Sequence, residues 1–153
     1  MINEFKIYHG SALAELLDDA DTAISIRRLD LQNNAIYILN DRVALYVKHS
    51  TARISPWRFS FTLEHVQDLV KLMADHEDTY LVLVCGKDSI GVANPKQVGK
   101  LLNLKNPTPS WVSVQTGHNT GLTVEGSNGA LREKLKKSRP FHEVKGKLAT
   151  PTS

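Results

Sequence analysis

Two alternating apolar runs constrain this chain more than any other feature. Ile36 and Ile38 lie before Asn40-Asp41-Arg42, and Val43, Leu45 and Val47 follow it. A period of two is the signature of a strand, and Asn and Asp tolerate the left-handed backbone that a tight turn demands, so a β-hairpin is predicted. Residues 50–56 contain Ser, Thr and Pro and leave the sheet. Trp57, Phe59 and Phe61 then share one face of a further extended segment, with Arg58 and Ser60 on the other.

The rest of the chain reads as elements that would cover or extend this hairpin. Ser11 is placed to cap a helix with Ala12, Leu13, Leu16, Leu17 and Ala20 on one face, ended by Asp18, Asp19 and Asp21. Residues 22–29 read as a strand in which Ile24 and Ile26 point to one side. Thr62 is a second N-cap, and Leu63, Val66, Leu69, Val70 and Met73 form a stripe at helical spacing through Asp75. The segment 79–85, apolar on both faces, suits a central buried strand, with 89–93 as its short partner after the Gly86-Lys87-Asp88 turn. Asn94, Pro95 and Gln97 open a third helix with Val98, Leu101 and Leu102 inside. Two strands follow, WVSVQ and GLTVE, expected to pair. Ser127 then caps a last helix with Leu131 and Leu135 inward, and fraying is expected beyond Pro140.

At 153 residues, 41% of them hydrophobic, the chain is expected to build one core. The fold class is α/β, a single domain with a central mixed sheet flanked by helices over 1–140, followed by a basic and polar tail over 141–153. The lone Cys85 lies in an apolar run and reads as a buried structural thiol in a reducing compartment. No stretch has the length of a membrane span and no leader pattern opens the chain, so a cytoplasmic protein without membrane contact is expected.

The familiar catalytic signatures are absent. There is no nucleophile elbow, no Gly-rich phosphate loop and no paired cysteines, and the six histidines lack zinc-ligand spacing. Asp75-His76-Glu77-Asp78 reads as a charged helix end. Net charge is +3 but uneven, because residues 131–147 hold seven Lys/Arg against two Glu. Such a cluster can hold a polyanion through phosphate contacts, or can simply be a solvated face.

Taken together, helix, strand, hairpin, helix, buried strand with a short partner and a further helix resemble the element order of the PD-(D/E)XK, restriction-endonuclease-like nuclease superfamily, most of all its archaeal Holliday-junction resolvases. The resemblance covers residues 9–103. It rests on the stretch HGSALAEL, where Glu15 matches the glutamate of the family's opening helix, and on ALYVKHS, where Lys48 matches the lysine of its E-x-K strand. Family members bind Mg²⁺ through two hairpin carboxylates, and at those positions this chain has Ile36 and Tyr46. The resemblance therefore implies a nuclease-like scaffold whose metal centre is lost or displaced. If it is active, it is a Mg²⁺-dependent phosphodiesterase with Lys48, Glu15, Asp41 and Asp30 as candidate catalytic residues, the aspartates standing in from neighbouring turns. No metal ligand and no cofactor beyond that Mg²⁺ is assigned.

Lys48 has basic and aromatic company: His49, Arg53, Trp57 and Arg58 would meet phosphates and bases, together with Lys134, Lys136, Lys137 and Arg139 from the C-terminal cluster. Lysines near strand ends also point to solvent without function, and Trp57 suits a core as well as a stacking platform. The expected function is a nucleic-acid-associated protein, with DNA preferred to RNA as partner. The alternative is an interaction module on the same scaffold, including a homodimer.

Overall fold

A computed structural model describes residues 1–29, 35–117 and 121–149. The hairpin forms as the alternation predicts. Strand β2 (Ile36–Leu39) pairs antiparallel with β3 (Val43–Ser50), with Ile36 opposite Tyr46 and Leu39 opposite Val43. Asn40 and Asp41 both have positive φ, 52° and 55°, and Arg42 N–H donates to Leu39 O at 3.0 Å. These are the features of the primed turns that match strand twist.

Both faces of the hairpin are buried. On one side Ile36, Ile38, Ala44 and Tyr46 join one cluster, and on the other Tyr37, Leu39, Val43, Leu45 and Val47 join a second. Strand β5 (Thr79–Cys85) lies parallel to β3 and is buried along its whole length, as expected of a central strand covered on both sides. With β1 (Ile26–Arg28) at one edge and β6 (Ser89–Ala93) at the other, the mixed sheet has the order β1-β2-β3-β5-β6.

Helix α1 (Glu4–Asp19) covers one face of this sheet through Tyr8, Ala12 and Leu16. The opposite face packs on α2 (Leu63–Asp75), whose Val66, Leu69 and Leu72 are buried, and on α3 (Pro95–Leu101). The caps of α2 and α3 are those read from the sequence: Thr62 and Asn94 each accept from the backbone of the third helical residue, and that residue's side chain answers. A second, antiparallel sheet shares this core. Its strands β4 (Trp57–Phe61), β7 (Ser110–Thr116), β8 (Gly121–Gly126) and β10 (Leu135–Lys136) run in the order β10-β8-β7-β4, with the two-residue β9 (Gly129–Ala130) on β8. The pairing of WVSVQ with GLTVE is thus present.

Four expectations give way. Helix α1 is capped eight residues before Ser11: Asn3 accepts from Lys6 N–H at 2.9 Å, while Ser11 lies inside the helix and donates to Ile7 O. Strand 22–29 shrinks to Ile26–Arg28, all exposed, because it is an edge with no layer over it. The helix expected from Ser127 does not form. Trp111 N–H donates to Ser127 Oγ, Ser127 N–H donates to Trp111 O, and Leu135 pairs with Leu122, so Leu131 and Leu135 reach the core along an extended chain. The frayed segment expected beyond Pro140 instead carries α4 (His142–Ala149). There Phe141 and Val144 are fully buried against α1 and the first sheet, and Phe141 N–H donates to buried Asp19 at 3.0 Å. Residues 150–153 lie outside the described residues.

Candidate nucleic-acid interface

Lys48 follows Ala44 and Tyr46 on the face of β3 that looks toward α2. Its ammonium lies 4.8 Å from the centre of the Phe61 ring and 3.3 Å from His65 Nδ1. That nitrogen already accepts the Thr62 N–H at 3.2 Å, which places the imidazole proton on Nε2. Burial lowers the pKa of Lys48 to about 8. The same burial, reinforced by the Lys48 charge, lowers that of His65. Lys48 is thus packed inward against an aromatic face.

The candidate catalytic set does not converge. Ile36 and Tyr46 sit directly opposite each other and are fully buried, so the hairpin offers hydrocarbon and a phenol ring where a hard cation needs carboxylate oxygen. Asp41 is on the hairpin turn, its side chain 81% exposed and 3.6 Å from Arg27, at the opposite end of β3 from Lys48. At strand rise that is roughly 20 Å away. Glu15 lies across the sheet on α1, where partial burial and the neighbouring Asp19 and Asp18 raise its pKa. Asp30 is outside the described residues. Among the described residues no group of three or more His, Cys, Asp or Glu is placed to hold a metal. The donor set does not fit Mg²⁺.

The candidate binding residues separate in the same way. Trp57 is 1% exposed and its Nε1–H donates to Ala52 O, which makes it core and not a stacking platform. Arg58 lies over the Trp111 ring at 4.9 Å on the second sheet. His49 faces α1, stacked on Tyr8 at 5.0 Å, with Nδ1 3.4 Å from His9 Nε2, and His9 Nδ1 lies 3.5 Å from Tyr37 Oη. His9 is 3% exposed, and burial, with the neighbouring His49, lowers its pKa to about 4. This buried relay had no spacing signal in the sequence, because its members come from α1, β2 and β3.

The C-terminal cations do come together, with one exception. Lys136, Arg139 and His142 line two adjoining grooves of about 210 and 260 Å³ at the junction of β10 and α4, and Lys134 lines the first. All four side chains are exposed, and no carboxylate is within ion-pair reach of Lys134, Lys136 or Arg139 among the described residues. The acid in the groove is Glu143, which accepts from Asn94 at 3.4 Å. Lys137 turns to the other side of the strand and pairs with Asp88 at 3.3 Å. His142 was not singled out in the sequence, because the fraying expected past Pro140 hid it.

No known protein family model matches the chain, and no curated protein matches it. Among solved structures, the chain is similar to one from an archaeon. It is the Holliday junction resolvase Hjc of the archaeal hyperthermophile Archaeoglobus fulgidus, at 14% identity over 60% of this chain and 73% of that one, with a TM-score of 0.44. A likeness at this level carries no site residue and no activity to this chain. No helix among the described residues is long and apolar enough to cross a membrane.

Proposed function

We propose that this protein is nucleic-acid associated: it holds DNA by phosphate contacts along the β10–α4 rim, on a nuclease-like scaffold whose hairpin centre no longer supports metal-dependent cleavage. The observation that carries the reading is the convergence of Lys134, Lys136, Arg139 and His142 on two adjoining grooves, with no ion pair to Lys134, Lys136 or Arg139 among the described residues. Exposed cations gathered on one edge attract phosphates and release counterions, and the contacts position a strand without reading its bases. Ile36 and Tyr46 supply the other half, since a two-carboxylate metal site cannot be assembled from them.

The test is one preparation assayed twice. Duplex, single-stranded and branched DNA should be retained in a low-salt gel shift, and the same samples incubated with Mg²⁺ should remain uncut. Cleavage abolished by Glu15→Ala or Asp41→Ala would place an active centre elsewhere in the molecule. Absence of any shift at low salt would remove the reading.

A further inference from the structure

A second cleft lies apart from the basic rim, between α1 and the β5–β6 turn. Its floor depends on Gly86, whose φ is +56° and whose missing Cβ would stand 2.4 Å from Ala52 O. Only glycine tolerates both the conformation and the approach. Gly86 N–H donates to Ser50 O at 2.8 Å, and Trp57 Nε1–H holds Ala52 O at 2.9 Å, so the segment after β3 is clamped onto the turn. The clamp sets Arg53 and Lys87 on the walls of one cavity of about 390 Å³, with Tyr8 and Thr51 beside them. Arg53 and Lys87 are exposed and have no ion-pair partner among the described residues, whereas Asp88 in the same wall is matched by Lys137. Tyr8 also lines an adjoining cavity of about 290 Å³, with Ser11, Glu15 and Ser89 around an apolar base of Val84 and Ile90. The Ser89 hydroxyl itself is buried beside the Cys85 thiol, beneath that base.

We propose that this double cleft binds a phosphate monoester, with the dianion on Arg53 and Lys87 and the hydroxyls of Tyr8 and Thr51, and the organic body in the adjoining cavity. Two cations with hydroxyl donors, and in their own cavity no carboxylate but the Lys137-paired Asp88, match an oxyanion. The second cavity, with Tyr8, Ser11 and Glu15 around its apolar base of Val84 and Ile90, matches the sugar and ring of a nucleotide better than a second anion. The source of the monoester is either a free nucleoside 5′-monophosphate or the 5′-phosphorylated end of a strand. The site does not depend on the rim.

The experiment compares a fluorescent oligonucleotide bearing a 5′-phosphate with the same oligonucleotide ending in a 5′-hydroxyl, by anisotropy, and titrates adenosine and guanosine 5′-monophosphate by calorimetry. Either the 5′-phosphorylated strand should bind about tenfold more tightly than its hydroxyl counterpart, or the mononucleotides should bind by themselves; the first assigns a strand end, the second a free nucleotide. Lys87→Ala and Arg53→Ala, both exposed and expected to melt like wild type, should abolish the phosphate effect. Lys134→Ala/Lys136→Ala/Arg139→Ala should keep it even where overall affinity falls. No phosphate preference together with no mononucleotide binding would overturn the proposal, and so would a preference that survives in both Lys87→Ala and Arg53→Ala.

Discussion

At the scale of single residues, two buried bases control how stability responds to pH. His9 titrates at about 4 in the folded protein against 6.5 for the free side chain. Below 6.5 the unfolded chain therefore binds more protons, and stability present above that pH is lost as pH falls toward 4. The loss attributable to His9 is about 3 kcal/mol, and His49 and His65, also lowered, act in the same direction. Glu4 opposes this at His49, and Lys48 reinforces it. Urea melts at pH 7.5, 5.5 and 4.5 should show the decline, and His9→Phe should flatten it. Parallel curves for the two proteins would contradict the burial argument. Lys48 follows the same sign at higher pH: lowered to about 8 from 10.5, it leaves the fold gaining stability as pH rises through that window. Lys48→Met should melt within about 1 kcal/mol of wild type or above it at pH 7, since hydrocarbon replaces a desolvated charge. A loss beyond about 2 kcal/mol would show that the contacts with Phe61 and His65 hold the sheets together.

At the scale of elements, what could be read in advance was what local chemistry determines. The hairpin, the caps at Thr62 and Asn94, and the buried strand 79–85 with its partner 89–93 follow from turn residues, side-chain caps and run length, and they form where expected. The misses share a cause, which is that tertiary contact decided between equal local readings. Leu131 and Leu135 are spaced as on a helix, yet an extended chain pairing with β8 buries them equally well. Pro140 reads as a stop, but Phe141 behind it fills a core position whose N–H buried Asp19 accepts. The site was less legible than the fold. Which side of the sheet receives Lys48 depends on register, and Arg53 meets Lys87 only through the Gly86 clamp. The α4 reading predicts that Phe141→Ala costs about 3–5 kcal/mol by thermal or urea denaturation, a core-sized effect. A change under about 1 kcal/mol would restore the frayed tail first expected.

At the scale of the whole molecule, the two sheets enclose one apolar layer, with Ile36 and Tyr46 inside it and the exposed cations at its margin on β10 and α4. On the proposed reading, nucleic-acid binding is carried by the rim and not by the hairpin. Affinity for duplex DNA measured by anisotropy across a salt series tests this most directly. The account predicts that log affinity falls linearly with log salt in wild type. Replacing Lys134, Lys136 and Arg139 with alanine should reduce the slope by up to about 0.9 for each lost contact, whereas Lys48→Ala leaves it unchanged. A slope that survives loss of the rim but collapses with Lys48→Ala would return the site to the hairpin and contradict the account.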